Sequence, residues 1–373
     1  MNPKNLFREA VRLLEDGQSF AVATVFDNVG SVPRTAGAKM LVRLDGSICG
    51  SIGGGRLEAE NIREAGKLLA LKQTAIRKFD LTSEDAAGAE MVCGGKGEVL
   101  IDSVDAADKD NRLVYEAASE ILERNEKAWL VTILDRGGSS SGLHRQLCLV
   151  RSDKTVVGRV DCDPYILEKL IAGPARISIH ADVLENQRFL VEPLRSAGTV
   201  YIFGAGHVSQ RIAPLSTSVG FRTVVLDDRV EYANRSRFAE PVGVMVIDSF
   251  CRLPELAIDE NSYLVIVTRG HLFDKVVLEQ VLRSGAAYIG MIGSRSKRDK
   301  LYEALVKQGY GREELARVCS PIGTSIGAET PEELAVSIVG ELIRARSERE
   351  GSGTRRKAAS GACCRIESIA ARV

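Results

Sequence analysis

The stretch that decides the fold is Val200-Tyr201-Ile202-Phe203-Gly204-Ala205-Gly206-His207-Val208-Ser209. The apolar run over 200–203 reads as a buried strand entering a glycine turn. Gly204 permits the tight bend, and Gly206 lets a pyrophosphate approach the backbone at a helix start, where free N–H groups and the helix dipole favour negative charge. Ser209 stands where a third glycine would ease helix–strand packing, and His207 directly follows the second glycine. A helix is predicted over 207–217 and a second strand over 222–226. That strand delivers Asp227 at the spacing of about 20 residues from the turn at which a carboxylate reaches a ribose hydroxyl.

Downstream, strands predicted at 242–247, 263–267 and 287–289 alternate with helices over 273–283 and 295–307. This alternation requires a parallel sheet, whose ligands bind past the carboxyl ends of the strands. His271, in Thr268-Arg269-Gly270-His271, lies on that edge, either as a pocket residue or as a hydrogen-bonded loop histidine. The loop Gly290-Met291-Ile292-Gly293-Ser294-Arg295-Ser296-Lys297 opens a helix with a serine at its cap and cations beside it, again ready for an anion. Thr330-Pro331-Glu332-Glu333 is a helix start, and Leu334, Ile338, Val339 and Leu342 give that helix a face to bury. No hydride-transfer set accompanies the turn, although Ser209 does not forbid NAD(P).

The chain has 373 residues, 45% of them apolar and 27% charged, with zero formal net charge. These values fit two folded domains and give no global bias toward nucleic acid or an anionic membrane. No apolar run approaches the roughly 20 residues of a spanning helix, and residues 1–20 lack a signal-peptide pattern, so a cytoplasmic setting is expected. There the eight cysteines are expected as thiols, and their spacing contains no zinc motif. The fold class is therefore α/β: a Rossmann-like parallel-sheet domain over 197–348, preceded by an α+β domain over 1–196. A flexible tail is expected over 349–373, where Cys363-Cys364 is a weak signal.

The first domain carries a degenerate internal duplication. Asp27, Gly30, Arg43, Asp45 and Gly50 recur at a constant offset as Asp135, Gly138, Arg151, Asp153 and Gly158. Each block leads to a helix and then a strand, at 99–104 and 189–194, giving halves 1–104 and 111–196. Ordinary turn chemistry in two similar hairpins is the plainer alternative. Arg34 and Arg56 lie in Gly-rich loops, Gly30-Ser31-Val32-Pro33-Arg34 and Gly50-Ser51-Ile52-Gly53-Gly54-Gly55-Arg56. Such loops either wrap an anion or are tight turns bearing surface arginines. Cys93, in Met91-Val92-Cys93-Gly94-Gly95-Lys96-Gly97, is a glycine-flanked thiol near a lysine. It suits a thiolate ligand, a sulfur acceptor or a nucleophile, or else a small buried residue; Cys49 reads as core.

Together these segments resemble the XdhC/CoxI family of accessory proteins for molybdenum-containing hydroxylases. The matching pieces are the Gly30–Arg34 motif, residues 50–58, Cys93-Gly94-Gly95, Gly204-Ala205-Gly206-His207-Val208 and Thr268-Arg269-Gly270-His271 with Asp274. Tyr288-Ile289-Gly290-Met291-Ile292-Gly293-Ser294-Arg295, Pro321-Ile322-Gly323 and residues 326–333 complete the series. The resemblance runs over residues 5–346; Ser325 departs from it, standing where such proteins often have aspartate.

The resemblance implies a maturation factor rather than a turnover enzyme. Such a factor takes the molybdenum cofactor, as molybdopterin or its nucleotide form, as cargo. It protects the cofactor while a cysteine desulfurase installs the terminal sulfur, and delivers it to an apo molybdenum hydroxylase of xanthine dehydrogenase, aldehyde oxidoreductase or CO dehydrogenase type. On this resemblance Gly204, Gly206 and Ser294 hold the phosphate end, with His207, Asp227, Gly293 and Arg295 among the binding residues. Arg34 and Arg56 reach the cargo from the first domain, while Cys93 and His271 face the metal or its labile sulfur. A homodimer is expected if the target is dimeric. The alternatives are an NAD(P)-dependent oxidoreductase and a non-catalytic partner-binding scaffold of Rossmann shape.

Overall fold

A computed structural model of the chain describes residues 3–30, 36–80, 95–124, 126–136, 143–172, 177–182, 187–194 and 197–351. Two compact units divide it, Met1–Ser196 and Ala197–Val373. Helix α1 (Pro3–Glu15) leads to β1 (Phe20–Gly30), β2 (Lys39–Val42), β3 (Ile48–Gly50), α2 (Gly55–Leu71), β4 (Ala75–Asp80) and β5 (Gly95–Val104). The same succession then recurs as α3 (Lys109–Arg124), β6 (Ala128–Arg136), β7 (Leu143–Arg151), β8 (Val156–Arg159), α4 (Pro164–Ile171), β9 (Ser178–Asp182) and β10 (Gln187–Leu194). The two antiparallel sheets have matching orders, β3-β2-β1-β5-β4 and β8-β7-β6-β10-β9.

The repetition reaches single hydrogen bonds. Asp45 Oδ1 accepts from the Ser47 N–H and hydroxyl at 2.9 and 2.6 Å, and Asp153 Oδ1 accepts from Thr155 at 2.9 and 2.7 Å. Both are side-chain-braced turns. Gly50 and Gly158 share a positive φ, and a Cβ on either would strike the facing strand at Lys39 O or Leu147 O.

Each sheet buries one face under its own helix: Leu57, Ala65 and Leu68 of α2 cover Ala23, Met40 and Ile101, while Leu167 and Leu170 of α4 cover Val131, Cys148 and Val191. The remaining faces build a shared core. Phe20, Val22, Leu41 and Val104 cluster with their counterparts Ala128, Leu130, Leu149 and Leu194, and with α1 and α3. Phe26, Leu100, Leu134 and Leu190 form a smaller cluster of the same mixed parentage. Two ion pairs cross between the halves: Arg145 with Asp102 and Lys39 with Glu192, each at 2.7 Å and nearly buried. Thr74 and Thr24 hydroxyls join them, at 2.8 Å from Asp102 and from Lys39 Nζ respectively.

The second unit runs β11 (Thr199–Phe203), α5 (His207–Ser218), β12 (Arg222–Asp227), β13 (Gly243–Val246), β14 (Ser262–Ile266), α6 (His271–Val281), β15 (Tyr288–Met291), α7 (Arg295–Lys307), α8 (Arg312–Ala316), β16 (Val318–Cys319) and α9 (Pro331–Gly351). Its parallel sheet has the order β13-β12-β11-β14-β15-β16. In the unit's own count this is 3-2-1-4-5-6, the doubly wound dinucleotide-binding order, with its direction reversing between β11 and β14. One face is covered by α5 and α9 through Ile212, Ala213, Ile338 and Leu342. The other is covered by α6, α7 and α8 through Val277, Leu278, Leu305 and Leu315.

The Gly-rich loop read as opening at Gly30 begins after it: β1 continues to Gly30, resuming its pairing with β5 after a register shift between Val25 and Asp27. The edge strands β4 and β9 add to each sheet of the first unit. Cys49, expected in the core, is half-buried against it, and burial pushes its thiol above the ordinary range. Gly138 and residues 352–373, with Cys363 and Cys364, lie outside the described residues.

Candidate phosphate-binding site at the sheet switch point

Strands β12 and β14 flank β11 in parallel, with Phe203 level with Leu226 on one side and Ile266 on the other. All three therefore end together, and their exit loops meet. Gly204 turns the chain there with φ +107°. A Cβ at this position would lie 2.4 Å from Val267 O, so only glycine fits against the exit of β14. Ser209 explains the altered fingerprint. It is fully buried and its hydroxyl donates to Gly204 O at 2.5 Å, bracing the turn from inside the helix.

Gly206 caps α5 and Gly270 caps α6, neither with a side-chain cap hydrogen bond, and a Cβ on either would meet nothing within 4 Å. Helix N–H groups without capping side chains, behind open space, are what an anion needs. His207 is exposed as the first residue of α5. Ser294 caps α7 and accepts from Lys297 N at 3.4 Å, with Gly293 open before it and Arg295 exposed after it. His271 opens α6, but its side chain lies outside what is described.

Asp227 is fully buried. Its Oδ2 accepts from Ala205 N at 2.8 Å and Arg229 Nη2 at 3.1 Å, and its Oδ1 accepts from Arg229 Nε at 2.9 Å and Arg229 N at 3.1 Å. Burial raises its pKa, but the Arg229 guanidinium and the Ala205 N–H outweigh burial and hold it below the usual carboxylate range. The residue read as a ribose acceptor thus has its lone pairs committed to the glycine turn and to Arg229.

Sequence reasoning passed over the neighbours of this carboxylate. Arg269 and Asp228 form a bidentate ion pair. The Arg229 guanidinium lies 3.8 Å from the Tyr232 ring centroid, with Arg237 at 5.0 Å. Arg237 Nη2 donates to Gln210 Oε1 at 3.0 Å and to Ala205 O at 3.3 Å. Arg269 stacks over Phe273 at 4.6 Å, and Asp274 fixes its loop by accepting from Thr268 N and Oγ1 at 3.1 and 2.6 Å. The acid-acid-base run Asp227-Asp228-Arg229 was a visible signal; its pairing with Arg269 depends on strand order.

In the first unit, the loop before α2 does wrap an anion, but that anion is the protein's own. Glu58 Oε1 accepts from Ile52, Gly53 and Gly54 N–H at 3.0, 3.2 and 2.8 Å, and from Ser51 Oγ at 2.6 Å. Burial works against its ionised form, but the Ser51 hydroxyl and these N–H groups prevail and lower its pKa. Arg56 is exposed and paired with Glu60 at 2.5 Å. Arg34 and Cys93 lie outside the described residues. Among those described, no group of three or more metal-ligating side chains occurs, and no helix is long and apolar enough to cross a membrane.

Residues 200–342 match the model of the XdhC Rossmann domain, and residues 13–80 match that of the XdhC and CoxI family. A Bacillus subtilis (strain 168) protein named as a probable xanthine dehydrogenase subunit is 25% identical over 340 residues, covering 90% of this chain and 95% of that protein. The molybdenum cofactor insertion chaperone PaoD of Escherichia coli (strain K12) is 20% identical over 355 residues, covering 93% and 90%. The uncharacterized protein YqeB of Escherichia coli (strain K12) is 27% identical over 352 residues, 93% of this chain but 47% of that protein, so the chain spans about half of that relative's length. A crystal structure described as a xanthine dehydrogenase from Bacillus halodurans aligns with a TM-score of 0.77 at 25% identity, covering 94% and 98% of the two chains. With one match in each compact unit, the chain belongs to the XdhC and CoxI family.

Proposed function

We propose that the protein is a maturation factor for a molybdenum hydroxylase. It binds the molybdenum cofactor as cargo, shelters it while a cysteine desulfurase supplies the terminal sulfur, and hands it to the apo-enzyme. The relatives named for cofactor insertion and for part of a xanthine dehydrogenase support this reading. The observation that carries it is the convergence of the Gly204 turn with the starts of α5 and α6, both free of side-chain caps, at the sheet switch point. The phosphate or pyrophosphate end of a pterin cofactor suits that edge, because backbone N–H groups bind an anion without a mobile side chain to order.

In this reading Gly204 and Gly206 give the phosphate its approach, and Ser294, with Gly293 and Arg295, presents a further helix start, that of α7. His207 flanks the phosphate and Asp227 holds the turn in shape. His271 is the second unit's candidate for the metal end or its labile sulfur, and Cys93, Arg34 and Arg56 are candidates in the first unit that substitution tests one by one. The apo-hydroxylase, the desulfurase and a second copy of the chain are the proposed partners.

Anaerobic purification from cells making the cofactor, with assays for molybdenum and oxidised-pterin fluorescence, tests the proposal. Wild type is expected to retain both, and Cys93→Ala is expected to lose retention or activation of the target enzyme. Protein that carries neither, and fails to hold added cofactor, would sink the reading and leave a partner-binding scaffold. The dinucleotide strand order favours a second reading, an NAD(P)-dependent oxidoreductase. The commitment of Asp227 to Arg229 weighs against it, and titration with NADH decides it.

A further inference from the structure

Asp228 directly follows β12, and Arg269 lies in the loop that leaves β14, the two strands on either side of β11. Their bidentate pair therefore spans the exit of β11, above the glycine turn. Beneath it, Asp227 ties the turn itself to Arg229 through Ala205 N. The four groups form a square, with cross distances of 3.9 Å from Arg229 Nε to Asp228 Oδ1 and from Arg269 Nη1 to Asp227 Oδ1. Two carboxylates and two guanidiniums make this square neutral, so it adds no net attraction for an anion while intact.

The two pairs are unequal. Asp227 is 1% exposed and holds a backbone N–H as well as its arginine, whereas the Arg269 and Asp228 side chains are 34% and 12% exposed. Arg229 is also held against Tyr232. Only the outer pair can exchange partners without unmaking the turn. A phosphate offers a guanidinium the same bidentate geometry as a carboxylate, with more charge.

We propose that Arg269 is the anion-reading residue of this site and that Asp228 is an internal competitor for it: a phosphate or pyrophosphate group at the glycine turn takes Arg269 from Asp228. The pair then acts as a latch that sets a threshold for weakly charged ligands and opens for polyanionic ones. The inference rests on the switch-point crevice being an anion site, not on the identity of the cargo.

Inorganic pyrophosphate is the probe, titrated calorimetrically into the full chain at fixed ionic strength, with thermal unfolding confirming that each variant is folded. Asp228→Asn is expected to bind about three- to tenfold tighter than wild type, because the competitor is gone while the hydrogen-bonding shape remains. Arg269→Ala is expected to bind weaker than wild type, with Arg269→Lys between them. The double variant D228N/R269A is expected to lose the gain of D228N, since Asp228 acts through Arg269. Glu231→Gln removes one nearby negative charge without touching the latch and is expected to leave affinity within about twofold of wild type.

Unchanged or weaker binding in D228N overturns the proposal. So does a double variant that keeps the tighter binding, which would reduce Asp228 to a diffuse field effect. Pyrophosphate binding that follows the expected pattern, in a protein that holds no pterin or molybdenum, sustains the latch and removes the cargo. Cofactor retention unaffected by D228N and R269A, with no pyrophosphate effect, removes the latch and sustains the cargo.

Discussion

Three glycine and carboxylate positions show how sharply local geometry separates structure from binding. Gly204→Ala puts a Cβ on a carbonyl oxygen at positive φ, and is expected to cost about 2–4 kcal/mol in urea unfolding. Gly206→Ala meets open space at an ordinary φ of −74°. It should cost less than about 1 kcal/mol while weakening cofactor retention, because the added methyl stands where the phosphate approaches. Equal destabilisation by both would mean that the second glycine also has a packing role. Glu58 is the residue whose charge braces the loop before α2. Glu58→Gln removes the ionised acceptor of three N–H groups and is expected to lose about 1–3 kcal/mol at neutral pH. The folded pKa is lowered, so this contribution is fully present above the unfolded value, about 4.3, and is lost as pH falls through the folded one. Wild type and E58Q should therefore converge in stability under acid; a constant gap down to that range would show that the hydrogen-bond count, not the charge, matters.

At the scale of elements, the first unit is held together by strands from opposite halves. Asp102 on β5 faces Arg145 on β7, and Glu192 on β10 faces Lys39 on β2, both pairs nearly out of water. Such a pair is costly to break and cheap to replace: Asp102→Ala should destabilise by about 3–5 kcal/mol, while D102L with R145M should recover most of it. A double variant as unstable as the single would mean that Thr74 and Asn111, which also bond to this pair, need its charge. Elements with an apolar run, such as β11, or a clear cap, such as the Ser294 start of α7, were legible from residues alone, as was the β-α alternation of the second unit. β4 and β9 were not. Each lies at a sheet edge, and Ala75-Ile76-Arg77-Lys78-Phe79-Asp80 lacks the alternation of a half-buried strand. The same distinction governs the site. The glycine turn and the helix caps are local and readable, whereas the Asp228–Arg269 pair exists only because β11 lies between β12 and β14. The Gly50–Gly55 loop looked like an anion nest, and the carboxylate that fills it is Glu58, three residues beyond the loop.

For the whole molecule, the hydrophobic clusters define which pieces can stand alone. The two clusters of the second unit draw every member from residues 197–345, one on each face of the parallel sheet. A fragment of residues 197–351 contains a complete doubly covered core within the usual size of a domain, and should unfold cooperatively by itself. The halves of the first unit differ. The clusters around Phe20 and around Phe26 take residues from both halves, and a half cut at residue 107 would leave Asp102 without Arg145 and the inner sheet face in water. Residues 1–196 are therefore expected to unfold as one unit, and residues 1–107 to show no cooperative transition, despite their complete αβββαββ succession. Urea titrations of the three fragments by circular dichroism check this. A cooperative transition in 1–107 would mean that each repeat has kept a self-sufficient core. Its absence, beside cooperative unfolding of 1–196, would establish that the repeats are now obligatory partners, each folding only against the apolar face and opposite charge that the other supplies.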